Sequence, residues 1–131
     1  MNRRLMLTGF TAVAALSMAP VASRAAEKQP FTDAAFEAAQ AAGRPVLVDV
    51  FASWCPTCRA QKPHVDAMAA DPRMQEAVFL TVDFDTQKDV LRRLNVRSQS
   101  TLIAFHGREE RARATGITDP AQIRDLLLRA L

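Results

Sequence analysis

The chain reads as an α/β domain: a central mixed β-sheet flanked by helices on both faces. Three features of its 131 residues carry that expectation. Segments of helix and strand character alternate along most of the sequence, a valine-rich run at 45–52 is apolar almost throughout, and two strand-like segments follow one another near the C-terminus. Alternation implies parallel strands joined by covering helices, an unbroken apolar run implies burial on both faces, and two successive strands add an antiparallel hairpin.

Taken in order, "FTDAAFEAAQAAGRP" starts a first helix at Thr32 or Asp33, with Phe36 and alanines on one stripe and Gly43 just past its end. "PVLVDVFA" (45–52) is the central strand. A second helix opens at the cysteines, with Pro56 one position inside, where a missing N–H costs nothing, and Pro63 midway, where a kink is expected. "DPRMQEA" makes a short helical turn before a strand beginning at Val78, and "QKDVLRRLN" is a third helix. "TLIAFHG" and "EERARATG" are the paired strands, turning at Gly107, and "DPAQIRDLLLRAL" is a capped amphipathic helix. "AEKQP" (26–30) either adds an edge strand or stays a tail.

Residues 1–25 have the three-part plan of a secretory signal peptide: Arg3 and Arg4, an apolar run from Leu5 to about Ala19, and small residues at Ser23 and Ala25 that place cleavage after Ala25. A run of about 15 residues is short for a membrane-spanning helix, which needs about 20. The expectation is therefore periplasmic export with no stable membrane insertion afterwards, by the general or the twin-arginine route. Residues 26–131 are then the single folded domain. Of the 17 basic residues three leave with the leader, so 14 basic and 14 acidic ones balance. That neutrality gives no reason to expect nucleic acid or an anionic membrane surface as partner, and the domain reads as a monomer.

Cys55 and Cys58 are the only cysteines. A structural disulfide closing so small a ring removes little chain entropy, and a structural zinc site wants four ligands where His64 and His106 are the only histidines available. Methionines after the leader are only Met68 and Met74, which argues against a methionine-rich copper carrier. A C-x-x-C pair that follows a buried strand and opens a helix fits redox chemistry better. Unpaired amides and the helix dipole favour the Cys55 thiolate as attacking nucleophile; Cys58, one turn in and more buried, is the resolving thiol. Asp49, a carboxylate among valines, should have a raised pKa that suits it to accept a proton from Cys58. No cofactor is required.

"VLVDVFASWCPTC" resembles the active-site strand and turn of thioredoxins, and the likeness extends through Pro63, "VDFD", "NVRSQSTLIAFHG" and the terminal helix. The resemblance implies a thioredoxin fold and thiol–disulfide exchange with protein thiol and disulfide substrates. It matches Asp49 to the family's buried acid and Trp54 to the tryptophan that packs beside and shields the attacking sulfur. Pro56 and Thr57 fall at the positions that tune redox potential, where about 30 mV corresponds to about 1.4 kcal/mol.

One position departs from the family pattern. Ser100 stands where the resemblance implies a cis-proline before Thr101, leaving either a trans bond with a reshaped loop or a strained cis bond. Gln99, Ser100 and Thr101 are by resemblance the substrate-binding loop. The added hydroxyl and space also raise a metal reading, in which two chains together supply four thiolates to zinc or an iron–sulfur cluster. Dedicated oxidants of this fold usually carry an inserted helical domain and a Pro-His pair between the cysteines; this chain has neither. Asp49 and Trp54 resemble reductases, and a reductase outside the cytosol implies a membrane thiol-relay electron donor. Arg92, Arg93, Arg97, His64 and His106 read as solvated surface.

Overall fold

The computed structural model describes residues 26–131, together with residue 15 and residues 17–19; the leader and its cleavage point otherwise lie outside the described residues. The elements run β1 (Glu27–Pro30), α1 (Asp33–Ala41), β2 (Pro45–Phe51), α2 (Pro56–Ala69), a 3₁₀ turn (Pro72–Met74), β3 (Val78–Asp83), α3 (Lys88–Arg93), β4 (Thr101–His106), β5 (Glu109–Thr115) and α4 (Pro120–Leu128). They form one five-stranded sheet in the order β1-β3-β2-β4-β5. The valine-rich strand is therefore the middle one, parallel to β3 and antiparallel to β4. The open question at 26–30 resolves to a strand: β1 adds to the edge, parallel to β3.

Alternation along β2 sorts its side chains between two cores. Val46, Val48 and Val50 point into a cluster completed by Val78, Leu80, Val82, Ile103 and Phe105, capped by Phe31 and Ala39 with Val90 and Leu91 of α3. Leu47 faces the other way, into Phe79, Leu102 and Ala104 beneath Val65 and Met68 of α2 and Ile123 and Leu127 of α4.

Local chemistry fixes the helix ends. The Thr32 hydroxyl accepts from the Ala35 amide at 3.1 Å, and the Asp119 carboxylate accepts from the Gln122 amide at 3.0 Å ahead of Pro120. α2 continues through Pro63 as one helix. At the sheet end away from the cysteines, Gly43 and Gly107 both take positive φ, and a Cβ on Gly107 would stand 3.3 Å from the Gly43 Cα. Glycine is needed there for conformation and for close approach.

Candidate active site: two thiols and a serine

β2 ends at Phe51, and a tight turn brings Cys55 to the N-cap of α2. Pro56, first in the helix, has no N–H to offer, so the first free amides belong to Thr57 and Cys58. The Cys58 amide donates to Cys55 Sγ at 3.1 Å, which makes the cysteine side chain its own helix cap. Both sulfurs are free thiols.

Burial distinguishes them less than the sequence suggests. Cys55 is 1% exposed and Cys58 2%, packed with Ala52 and flanked by Phe51 and Phe84. The greater burial expected of Cys58 is not seen in exposed surface, and the Ser100 hydroxyl lies against both sulfurs. What separates the two is hydrogen bonding. Burial pushes the Cys55 thiol up, but bonds from the Cys58 thiol, the Ser100 hydroxyl and the amides of Cys58 and Thr57 outweigh it and leave its pKa below the ordinary value. For Cys58, burial and its bond to Cys55 raise the pKa, against a smaller lowering by Ser100 and the Ala52 backbone. The two thiols are thus told apart electronically, Cys55 as the more acidic.

The described residues contain no cis peptide bond, so the chain passes Gln99–Ser100 in trans. Ser100 instead takes φ 61°, a left-handed conformation that costs a serine about 1 kcal/mol. Its amide donates to the Val50 carbonyl at 2.8 Å, and its carbonyl accepts from the Gly116 amide at 3.0 Å and from Gln61 Nε2 at 3.2 Å. Its hydroxyl lies 3.1 Å from Cys55 Sγ and 3.2 Å from Cys58 Sγ. Gln61 is a site residue not singled out from the sequence. Its amide also donates to the Ile117 carbonyl at 2.8 Å, tying α2 to the loop after β5, while its own carbonyl is buried with no partner among the described residues. The signal available was spacing: with Cys58, Val65 and Met68 it falls on the buried stripe of α2, where a polar residue needs a reason.

The other expected site residues divide. Thr101 is buried, and its hydroxyl is used within the loop, donating to the Ser98 carbonyl at 2.8 Å and sitting 2.8 Å from the Thr115 hydroxyl. Gln99 takes a bond from the neighbouring Ser98 hydroxyl at 3.3 Å. Pro56 is exposed and Thr57 half-buried. Trp54, 53% exposed, turns its indole N–H onto Asp85 at 2.9 Å and its ring edge-on to Phe84, 6.4 Å between centroids. That hydrogen bond ties the tryptophan to the loop after β3 and leaves much of the ring in solvent.

Asp49 faces α2 from the middle strand, half-buried on the wall of a cavity of about 150 Å³ shared with Lys28, Lys62 and Asp66. Desolvation raises its pKa from an ordinary 3.8 to about 6, against partial lowering by the Lys28 and Lys62 cations. Those lysines both bond Asp66, Lys62 at 2.7 Å, forming a bridge from β1 to α2.

His64 is half-buried and Arg92 and Arg97 are exposed, while Arg93 pairs with Asp33 at 2.7 Å. His106 is exposed as expected but not merely solvated: its Nδ1 lies 2.9 Å from the Ala130 carbonyl. No group of three or more His, Cys, Asp or Glu side chains suited to a metal occurs among the described residues, and no described helix is long and apolar enough to cross a membrane.

A dithiol at a helix N-terminus, with its first sulfur made acidic, exchanges disulfides, and known proteins place the chain accordingly. The thioredoxin family model matches residues 27–129. The chain is 33% identical over 93 residues to thioredoxin of Echinococcus granulosus, covering 71% of this chain and 84% of that protein. It is 33% identical over 93 residues to thioredoxin-2 of Saccharomyces cerevisiae, covering 70% and 86%. The crystal structure of Trxlp from Edwardsiella tarda superposes with a TM-score of 0.75 at 42% identity, covering 77% of this chain and 98% of that one. The chain belongs to the thioredoxin family, with the fold and the thiol–disulfide oxidoreductase chemistry of that family.

Proposed function

We propose that this oxidoreductase is exported to the periplasm and works there as a disulfide reductase on protein substrates. The Cys55 thiolate attacks a substrate disulfide, forming a mixed disulfide and releasing one substrate thiolate. Cys58 loses its proton and attacks Cys55 Sγ, releasing the second substrate thiol and leaving the Cys55–Cys58 disulfide. The observation that carries the reductive reading is Asp49: a carboxylate with a pKa of about 6, on the strand that runs into the dithiol turn, is matched to accept the resolving proton near neutral pH. Regeneration takes two electrons, for which a membrane thiol relay is the fitting donor outside the cytosol. The basic and apolar pattern of residues 1–25 supports export.

A second reading rests on a specific observation too. The bonds that lower the Cys55 pKa stabilise the dithiol, and a stabilised dithiol makes its disulfide more oxidising, which is the requirement of a disulfide-forming oxidase. The redox state in cells decides between them. Acid quenching and thiol alkylation should find the pair mainly as dithiol; a mainly disulfide population would reverse the direction. Cys58→Ser should accumulate mixed disulfides through Cys55 in the periplasmic fraction, and recovery of the protein only from the cytosol would refute the location.

A further inference from the structure

Glycine would take the Ser100 backbone at no cost, so this position owes its serine to the side chain. That side chain is used in one way: among the described residues the hydroxyl's only hydrogen-bond partners are the two sulfurs. The loop is built to keep it there. Val50, Gly116 and Gln61, from the middle strand, the loop after β5 and the active-site helix, each hold the Ser100 backbone. With the residue 3% exposed, water does not compete for the hydroxyl.

We propose that Ser100 is a catalytic residue whose single hydroxyl serves the two sulfurs in turn, donating its hydrogen bond to whichever is the thiolate. The inference rests on the thiol–disulfide exchange assigned above and is independent of its direction. In the dithiol, the Cys58 thiol and the Ser100 hydroxyl both donate to the Cys55 thiolate. Once Cys55 Sγ has formed a bond to a substrate sulfur and the substrate S–S bond has broken, Cys55 carries no negative charge and holds the hydroxyl only weakly. When Cys58 gives up its proton to a base, its thiolate becomes the stronger acceptor. The hydroxyl hydrogen then swings across by rotation about Cβ–Oγ, with both distances already in place at 3.1 and 3.2 Å. Cys58 attacks Cys55 Sγ, the Cys55–substrate bond breaks, and the departing substrate sulfur carries the charge away. Ser100 gains and loses no proton over the cycle, and the two electrons pass from the protein dithiol to the substrate disulfide.

Ser100→Gly and Ser100→Ala separate the hydroxyl from the backbone, because glycine relaxes the left-handed conformation and alanine keeps its strain while both remove the oxygen. Reduced full-length protein is mixed in stopped flow with one equivalent of the symmetric aryl disulfide of thionitrobenzoate. The first thionitrobenzoate released reports attack by Cys55, and the second reports resolution by Cys58. Both variants are expected to slow both phases about tenfold at neutral pH, and to move the midpoint of Cys55 alkylation upward by about one pH unit, the loss of one hydrogen bond to a charged sulfur. Wild-type rates in both variants would overturn the proposal, as would slowing of the first phase alone. Glycine and alanine variants that differed from each other as much as from the wild type would assign the effect to the backbone and overturn it as well. Failure of the wild-type protein itself to release the second equivalent would instead refute thiol exchange, and this inference with it.

Discussion

The two faces of β2 use the same backbone for different purposes. Val46, Val48 and Val50 are fully buried in an apolar cluster, whereas the opposite face carries Leu47 and then Asp49, a carboxylate on the wall of a small cavity. The apolar face is lined by valine, leucine, isoleucine and phenylalanine side chains. The other has two lysines close enough to lower the Asp49 pKa, though not enough to cancel desolvation. One strand therefore contributes stability from one side and gives some of it up on the other, where desolvation raises the pKa of a carboxyl.

Moving the charge across is the severest way to break that contrast. Val48→Asp puts a carboxylate at a fully buried position in the apolar cluster, and the protein should fail to fold, seen as loss of the cooperative melt. Removing the charge from its proper face should do the opposite. The unfolded carboxyl titrates near 3.8 and the folded one near 6, so the native state holds the proton more tightly, and ionising Asp49 costs stability that accrues as pH rises from about 4 to about 6. Asp49→Asn is then expected to stabilise by up to about 3 kcal/mol at pH 8 and by almost nothing at pH 4, in denaturant melts at the two pH values. Val48→Ala, which only removes two methyl groups, should cost about 2 kcal/mol at every pH. Smallest is Lys28→Gln, which breaks an exposed pair with Asp66 worth a few tenths of a kcal/mol. Its sharper effect is to raise the Asp49 pKa above about 6, read from the pH dependence of the second thionitrobenzoate release.

Much of this was legible before any coordinates because it follows from periodicity. Alternation along 45–51 places Val48 and Asp49 on opposite faces whatever surrounds them, and a cysteine ahead of Pro56 marks a helix start by the chemistry of the missing amide. The pairing of 27–30 with β3 was not legible, since four exposed residues carry no hydrophobic pattern and are ordered by the neighbouring strand's free edge. Nor was the posture of Ser100. A left-handed serine is dictated by three partners contributed from Val50, Gln61 and Gly116, separated from it along the chain and visible only once folding has brought them together.

The buried dithiol has a kinetic meaning. For a residue that is 1% exposed, attack by its thiolate requires neighbouring side chains to move, so the observed rate would be the intrinsic rate scaled by that opening. Small oxidants such as peroxide gain little from the acidity of Cys55, because they bring no binding energy with which to hold the site open. A polypeptide substrate, with a larger contact surface, can supply it. Selectivity for protein disulfides over dissolved oxidants would then be a matter of access rather than of potential.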